Sequence, residues 1–345
     1  MKIVAANGKS YRLSGSLNAF QQELYIHLIN WKWRYITTAP GYNLGKEYDA
    51  ILPDGLISAD WSSPLIYPDA MPVLLAHLKK NPFRIHKHYY HMASSQAANF
   101  NLFLPVLHST DANAVLSKLK SDFASLATDY LDNGYCMEYW GGNFDNGSST
   151  GLLGDKSKTA GTDTDIAIAY YNHQGELCLW LIEHKLTENE FSVCGAYKSK
   201  SRKAKHDCGK SYSEILKDKN CCYYHDMRKF NYWNITDANQ AFFANHAYHS
   251  SCPFRGGMNQ LWRNQLLALA TEQSENAPYQ QVYFSVVKHP ANTSLDTTIN
   301  TYKKLTANNP KFSTFTSADV ISAAEQTDTP QLNDWAKWYR ELYNI

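Results

Sequence analysis

The chain has 345 residues and a formal net charge of +1, with 33 lysines and arginines against 32 aspartates and glutamates. This balance excludes a protein that attracts polyanions through its overall charge, so any contact with nucleic acid must come from local basic patches. Residues 1–9 lack the continuous apolar region of a signal peptide, and no apolar run approaches the length of a bilayer span. Seven cysteines, an odd number, argue against a secreted disulfide framework. We therefore expect a cytoplasmic protein with no membrane segment.

Residues 1–90 are rich in aromatic side chains and turns, with Pro40-Gly41 and Pro53-Asp54-Gly55 interrupting short segments. Leucines at helical spacing predict one helix here, over residues 70–80. The length of the chain alone would favour about two domains. We instead predict that residues 1–90 are an elaboration packed on a core that residues 91–345 form.

Two helices, a strand and a long loop are predicted next along the chain. Apolar residues recur at helical spacing over 94–104 and 111–131, and Asp132-Asn133-Gly134 ends the second helix. A strand is predicted over 135–140. The loop 141–162 is rich in Gly, Ser and Thr and is long for a compact domain. It is interpreted either as a flap that responds to substrate or as a disordered surface excursion.

The most informative segment is a predicted hairpin in which two apolar strands flank His173-Gln174-Gly175. A glycine that closes a three-residue hairpin loop occupies a left-handed position. If Asn172 pairs with Glu176, Asp165 lies opposite Glu183 and Asp163 lies opposite Lys185, all on one face. The hairpin thus gathers two or three carboxylates and a lysine at one end, a combination that binds hard divalent cations such as Mg²⁺.

These motifs resemble a known superfamily. The pattern Asp-(x)n-Glu-x-Lys after an apolar strand resembles the PD-(D/E)XK phosphodiesterases, and Gly161-Thr162-Asp163-Thr164-Asp165 resembles the acidic motif of their RecB-like members. The segment 252–265 is similar to the glutamine-bearing helix of that group. Ser94-Ser95-Gln96 with Asn101-Leu102-Phe103 is similar to the leading helix of a restriction-endonuclease subgroup. The resemblance covers about residues 90–290, with one departure: an aromatic residue commonly follows the glutamine by four positions, and this chain has Asn264.

The resemblance implies an α/β, restriction-endonuclease-like fold with a mixed β-sheet core flanked by helices. The implied activity is that of a restriction-type endodeoxyribonuclease, which uses Mg²⁺ or Mn²⁺ to hydrolyse DNA phosphodiester bonds and leaves 5′-phosphates. Two alternatives stay open: a catalytically silent nucleic-acid-binding or assembly module, and an exonuclease or RNase built on the same core. A homodimer and a methyltransferase or defence-system partner are also left open.

Within that activity each residue of the hairpin has an expected role. Asp165 and Glu183 would hold the metal, with the His184 carbonyl as a third ligand, and Lys185 would orient or deprotonate the attacking water. Because Glu183 and Lys185 are placed at a polar strand end, truncating either is expected to change stability little. The competing interpretation of the set is a surface ion-pair ladder worth about 0–1 kcal/mol.

Four further residues are candidates at the edge of the site. Glu138 and Asp163 are expected to support the metal or to extend the site to a second one. Gln260 is expected to hydrogen-bond Lys185 or the substrate backbone, and Gln96 to pack near the site. The alternative for each of them is a solvated or simply structural polar side chain.

An insertion at about 190–255 follows the hairpin and carries five of the seven cysteines. Cys194, Cys208, the 221/222 pair and Cys252 match no standard zinc-knuckle spacing. Some RecB-like nucleases carry an iron–sulfur cluster held by four cysteines, so that resemblance implies Cys194, Cys208, Cys221 or Cys222, and Cys252 as ligands. A mixed zinc site with His206 and His225 is one alternative, and small buried packing residues are another.

The insertion also carries the densest basic run of the chain. Its side chains are interpreted either as a solvated loop or as an arm that contacts nucleic-acid phosphates. The residues are Lys198, Lys200, Arg202, Lys203, Lys205 and Lys210. After the insertion, the pattern predicts helices over 258–271, 295–306 and 318–325, strands over 281–287 and 312–315, and a final helix with Leu332, Trp335, Tyr339 and Leu342 on its apolar stripe.

Overall fold

A computed structural model of the chain describes residues 1–142, 149–157, 161–199 and 206–345. Its strands are β1 (Lys2–Ala6), β2 (Lys9–Leu13), β3 (Gly41–Asn43), β4 (Lys46–Tyr48), β5 (Phe123–Leu126), β6 (Tyr135–Tyr139), β7 (Thr164–Asn172), β8 (Leu177–Lys185), β9 (Gln281–Lys288) and β10 (Phe312–Thr316). Its helices are α1 (Ala19–Tyr35), α2 (Ala70–Lys80), α3 (Ser95–Leu107), α4 (Ala112–Leu119), α5 (Gly195–Lys198), α6 (Tyr212–Lys217), α7 (Tyr223–Asp226), α8 (Tyr232–Ala238), α9 (Met258–Gln273), α10 (Asp296–Leu305), α11 (Ser317–Glu325) and α12 (Pro330–Tyr343).

Six of these strands form one mixed sheet. Its order is β10-β9-β8-β7-β5, and β6 also pairs with β7. The pairs β5–β7, β6–β7 and β7–β8 are antiparallel, whereas β8–β9 and β9–β10 are parallel. The connection from β8 to its parallel neighbour β9 contains the insertion and α9, as a parallel pair requires a long crossover.

The hairpin β7–β8 has the register that the sequence predicts. Ile166 pairs with Ile182 and Tyr171 with Leu177. The Asn172 amide donates to the Glu176 carbonyl at 3.0 Å, and Gly175 has φ = +77°, the left-handed conformation expected of it.

The central strands are buried on both faces because helices cover the sheet on each side. Ile166, Ile168 and Ile182 belong to one core with α3, while Ala167 and Leu181 belong to a second core with α9. Alternate residues of β7 and β8 therefore meet different layers. Helix α3 begins at the cap residue Ser94, whose hydroxyl accepts from the Ala97 amide, and it runs through the first core.

The N-terminal region shares the first core. Helix α1 begins with a capping box formed by Asn18 and Gln21, and its Leu24 and Leu28 pack in the same core as α3. The hairpins β1–β2 and β3–β4 are separate two-stranded sheets, and Arg12 of β2 donates to Asp49 just after β4.

One predicted helix is wrong in its second half. The sequence predicted a helix over 111–131, but α4 ends at Leu119 and Phe123–Leu126 forms β5 against β7. Phe123 is fully buried and stacks on Tyr170 at 5.0 Å. Pairing with an open sheet edge thus overrides the helical spacing of the apolar residues.

The other predicted elements are present, with ends shifted by up to three residues. The stripe of the last helix is confirmed, since Leu332, Trp335, Tyr339 and Leu342 are all fully buried. Helix α11 begins at Ser317, one residue earlier than predicted, and Thr316 is its cap. Of the helices in the described parts of the chain, none combines the length and the apolarity needed to cross a membrane.

The described parts of the insertion are short helices around an aromatic core. Besides α5–α8 they include 3-10 turns over Lys219–Cys221, Gln240–Phe243, His246–Tyr248 and Pro253–Arg255. Phe254 stacks face to face on Trp262 of α9 at 4.2 Å, and Trp233 packs beside them at 5.3 Å from Trp262. These rings attach the insertion to the helix that faces the hairpin.

Candidate active site

Three acidic residues lie side by side on neighbouring strands of the sheet. The register of β7–β8 places Asp165 opposite Glu183. In β6–β7, Met137 pairs with Ile166 and Tyr139 with Thr164, so Glu138 falls opposite Asp165. A row of carboxylates across β6, β7 and β8 therefore ends the apolar part of the sheet.

This row opens into a cavity of about 330 Å³. The predicted residues that line it are Glu138, Asp163, Asp165, Glu183, Lys185 and Gln260. His86, Ser95, Glu188, Glu190 and Ser192 complete the lining. The cavity has six acidic side chains and one lysine, a composition suited to a cation and hostile to an approaching phosphate without one.

Three nitrogen donors fix the Glu183 carboxylate. Its Oε1 accepts from Lys185 Nζ at 2.8 Å and from Gln260 Nε2 at 2.7 Å, and its Oε2 accepts from Asn264 Nδ2 at 2.7 Å. Gln260 was expected to hydrogen-bond Lys185 or the substrate backbone; in the structure its Nε2 and Lys185 Nζ donate to the same Glu183 oxygen. Gln260 also accepts from the Ser192 amide at 3.1 Å.

Asn264 is a site residue that the sequence reasoning missed. It stands where the resembling helix motif commonly has an aromatic residue, and it was treated only as a departure from that motif. Asn264 and Gln260 are four residues apart on α9, so both project from one helix face toward Glu183. This spacing was the signal that could have identified it.

We expect Asn264→Leu to lower the phosphodiester cleavage that the resemblance implies by about 10- to 100-fold, because it removes a donor that orients the Glu183 carboxylate. The measurement is the single-turnover cleavage rate under saturating metal. Asn259→Leu is the matched control, since Asn259 is also buried on α9 but donates to the Phe254 carbonyl rather than to the site. Equal losses in the two variants would mean that Asn264 acts through stability alone.

Asp165 is buried among other acids. Its Oδ2 accepts from the His184 amide at 2.6 Å, and its own carbonyl accepts from Asn99 of α3 at 3.1 Å. Burial, with the neighbouring Glu183 and Glu138, raises the pKa of Asp165 well above its usual value. A bound cation would stabilise the ionised Asp165 carboxylate by offsetting its repulsion with Glu183 and Glu138.

Lys185 is an ammonium ion in this site. Burial lowers the pKa of Lys185, but Glu183, Glu188 and Asp165 outweigh burial and raise it. The sequence reasoning weighed a lysine whose pKa falls on desolvation and that takes a proton from water. With these carboxylates around it, the lysine holds its proton and is suited to orienting water and neutralising charge.

Glu138 has a strained backbone. Its φ is +50°, an uncommon value for a residue other than glycine, and it lies within β6. Tyr135 and Met137 face one core and Tyr139 faces the other, so the alternation of the strand changes at Glu138. Strain of this kind persists where the surroundings impose it and is common at functional sites.

The leading helix and the loop before it hold the Glu138 side chain. Gln96 donates to Glu138 Oε1 at 2.7 Å and accepts from the His86 amide at 2.9 Å, which places Gln96 near the site as predicted. His86 Nε2 lies 3.6 Å from Glu138 Oε2, and this contact raises the pKa of His86. His86 is a second residue that the sequence reasoning missed.

The backbone and the side chain of His184 make contacts on opposite sides of β8. The amide serves Asp165, while the ring lies on the α3 side, where Nδ1 donates to the Ser95 carbonyl at 3.2 Å. Burial lowers the pKa of His184 to about 4, so the ring is neutral. The role of the His184 carbonyl as a metal ligand stays a prediction.

Within the described residues, no group of three or more His, Cys, Asp or Glu side chains is arranged to hold a metal ion. Mg²⁺ does not require one, because it commonly binds through one or two carboxylates and completes its shell with water and substrate oxygens. A carboxylate has about four acceptor positions, and the described donors take three on Glu183. Asp165 and Glu183 thus fit Mg²⁺ or Mn²⁺ by their chemistry, and Glu138 and Asp163 lie in the same cavity.

Three other cysteines of the insertion lie near enough to Cys252 to influence its pKa. Burial, together with the thiols of Cys222, Cys194 and Cys208, raises the pKa of Cys252 well above its usual value. His206 Nε2 donates to Asp226 Oδ2 at 3.0 Å. The structural iron–sulfur or zinc site stays a prediction, which metal analysis and an absorption spectrum of anaerobically purified protein would test.

Most of the predicted basic arm lies outside the described residues, namely Lys200, Arg202, Lys203 and Lys205. Lys198 lies 4.0 Å from Glu190 at the cavity, and Lys210 pairs with Glu214 at 3.3 Å. Parts of the predicted loop 141–162 also lie outside, at 143–148 and 158–160. The arm and the flap therefore stay predictions.

Comparison with known families gives one match. The family model described as Restriction Endonuclease associating with ARP matches residues 31–344, which include the whole six-stranded sheet and every member of the acidic row. Comparison with the curated proteins and with the solved structures gives no match. The mixed sheet flanked by helices is a restriction-endonuclease-like fold, as predicted, and the chain belongs to the family described as Restriction Endonuclease associating with ARP.

Proposed function

We propose that the chain is a metal-dependent endonuclease that hydrolyses DNA phosphodiester bonds at the cavity between β6–β8 and α9. The observation that carries this proposal is the contact of Lys185 with Glu183 at 2.8 Å, in the cavity that Asp165 also lines. An acid pair and a lysine that approach one another at the end of two core strands match the chemistry of phosphodiester hydrolysis.

Asp165 and Glu183 would hold Mg²⁺ or Mn²⁺. When bound, the metal would polarise a phosphoryl oxygen and lower the pKa of a water molecule. Gln260 and Asn264 keep the Glu183 carboxylate in one orientation, and the His184 amide does so for Asp165. The Lys185 ammonium would hydrogen-bond the attacking water or a phosphoryl oxygen and offset the negative charge that builds up there. The water oxygen would bond to phosphorus as the water gives up a proton to solvent, and the sugar oxygen would take up a proton from solvent as its bond to phosphorus breaks.

The burial of the site supports an enzyme over a silent binding module. Burying three carboxylates and a lysine is costly unless they are paired or take part in chemistry. A binding module could contact DNA with exposed cations alone. An exonuclease or RNase on the same core is the second candidate, since the cavity does not distinguish those substrates. The family description also names ARP, and we extend an association with ARP to this chain as part of the proposal.

The test is a panel of substrates incubated with purified protein and Mg²⁺, Mn²⁺ or EDTA. An endonuclease nicks or linearises covalently closed circular DNA, which offers no ends to an exonuclease. Cleavage of linear DNA or RNA alone would replace the proposal with the second candidate. Absence of cleavage on every DNA and RNA substrate, with retained DNA binding, would leave the silent module.

A further inference from the structure

A second cavity adjoins the acidic one. It has a volume of about 600 Å³ and shares His86, Ser95 and Glu188 with the acidic cavity. The N-terminal hairpins and α1 form one wall, and the segment between α2 and α3 forms the other. Any chain held at the acidic row would therefore have this space beside it.

The two cavities differ in charge. The acidic cavity has one lysine against six acidic residues. The second cavity has Arg12, Arg84 and Lys87 against Glu188 alone. Arg12 is paired with Asp49 and Glu47, whereas Lys87 is exposed, as are Arg84, His86 and His88 beside it. A phosphate next to the one at the acidic row would meet positive charge here.

The walls of the second cavity offer apolar and aromatic surface. Leu13, Ala50 and Ile51 are buried residues that form part of its lining. Tyr25 and His91 pack ring to ring at 5.1 Å in the same lining. Tyr48 and His88 add two more rings. Aromatic side chains beside a basic segment are the combination that binds an unstacked base with its phosphate.

We propose that this cavity is a nucleotide subsite, which holds one unstacked nucleotide next to the phosphodiester at the acidic row. The base lies against the apolar and aromatic wall, and its phosphate lies on the segment 84–88. The volume is within the range of sites that enclose small ligands, and enzymes commonly read a base by moving it into such a pocket. This subsite rests on the proposed function, because it assigns the neighbour of the phosphate that would be cleaved.

The base-binding wall lies partly outside the matched family region. Arg12, Leu13 and Tyr25 precede residue 31, whereas Asp165 and Glu183 lie within the match. The subsite thus combines the acidic site of the family with a wall that belongs to the N-terminal segment of this chain. Choice of base at this position would then depend on residues that the family model does not cover.

The test uses 2-aminopurine, a base whose fluorescence rises when it is unstacked, placed at each position in turn along a DNA oligonucleotide in EDTA. We expect a fluorescence increase at one position with the wild-type protein. Ser14→Trp should fill the cavity and weaken binding of that oligonucleotide about tenfold, with loss of the signal. Ser16→Trp is the matched control, because Ser16 is exposed and lies outside this lining.

A second pair of variants does not depend on the folding of Ser14→Trp. Lys87→Ala removes an exposed cation of the lining and should reduce the salt dependence of DNA binding by about one phosphate contact. Lys79→Ala, an exposed lysine outside the lining, should leave the salt dependence unchanged. The subsite would be overturned if Lys87→Ala and Lys79→Ala showed the same salt dependence of DNA binding. It would also be overturned if Ser14→Trp and Ser16→Trp bound the oligonucleotide equally and gave the same fluorescence.

Failure of the subsite and failure of the nuclease are distinguishable. Cleavage by Ser14→Trp with a wild-type KM, together with no 2-aminopurine signal at any position, would overturn the subsite and leave the nuclease. A position-specific signal that Ser14→Trp abolishes, from a protein that cleaves nothing, would support the subsite and remove the nuclease. The same oligonucleotide series made as RNA would show which nucleic acid the subsite accepts.

Discussion

Lys185→Met is expected to reduce phosphodiester cleavage by at least about 100-fold, because it removes the only lysine of the described cavity lining. Metal binding should be retained or become tighter, since a competing positive charge beside Asp165 and Glu183 is lost. Glu183→Gln should lose both cleavage and metal affinity, because it removes a ligand charge. Single-turnover rates and calorimetric Mn²⁺ titration of the two variants measure the difference.

The controls for this prediction address charge and stability. Lys304→Met removes an exposed lysine from α10 and should cleave at the wild-type rate. The sequence predicted little loss of stability for Lys185, but Lys185 is buried against Glu183, so its removal should cost about 3 kcal/mol in the metal-free protein. Rates are therefore compared at saturating metal, with folding checked by circular dichroism. Wild-type cleavage by folded Lys185→Met would exclude the proposed role of this lysine.

Asp165→Asn is expected to stabilise the metal-free protein at pH 8 and to have less effect at pH 5. Burial, with Glu183 and Glu138, raises the pKa of Asp165 well above its ordinary value. The folded protein therefore keeps this proton to a higher pH than the unfolded chain does. The resulting stability is present below the ordinary pKa, near 3.9, and is lost as pH rises through the raised pKa. Asparagine does not ionise and therefore avoids this loss.

Added Mg²⁺ should make the wild-type protein more stable than Asp165→Asn at pH 8. A ligand that binds only the folded state stabilises it, by about 2.7 kcal/mol at a hundredfold excess over Kd. Wild-type protein should gain this stabilisation at pH 8, and Asp165→Asn should gain much less. Urea unfolding gives the free energy of unfolding of each protein at pH 5 and at pH 8, with Mg²⁺ or with EDTA. The exposed Asp54→Asn serves as the control. A wild-type stability that Mg²⁺ leaves unchanged would argue against a metal at Asp165.

The hairpin could be predicted from sequence because its information is local. Gly175 sets the turn, the turn sets the register, and strand periodicity then puts Asp165 and Glu183 side by side. The apolar runs on either side of the turn predicted two buried strands, and helices cover both faces of each. The acidic centre of the site followed from a turn and an alternation, with no knowledge of the rest of the chain.

The surroundings of that centre depend on contacts between distant residues. Asn264 lies 81 positions from Glu183, and His86 lies 52 from Glu138, so no local pattern brings either pair together. The left-handed backbone of Glu138 arises inside a strand, where sequence favours an extended conformation. Phe123–Leu126 likewise carries helical spacing and becomes a strand because an edge of β7 is available.

The direction of the pKa shift of Lys185 also could not be predicted from the sequence. Burial alone lowers the pKa of a lysine, and a sequence shows that the residue ends an apolar strand. It does not show that Glu188 lies near Lys185 along with Glu183 and Asp165, and these acids reverse the direction. The net shift depends on distances that only the folded chain defines.

The most direct test of the acidic centre compares wild-type protein with Glu183→Gln on covalently closed circular DNA in Mg²⁺. Glu176→Gln, at the far end of the same hairpin, is the control for the loss of one carboxylate. We expect wild type and Glu176→Gln to open the circle and leave 5′-phosphate ends, EDTA to stop them, and Glu183→Gln to leave the circle closed. Equal cleavage by folded Glu183→Gln, or an intact circle with all three proteins, would contradict the assignment of this site.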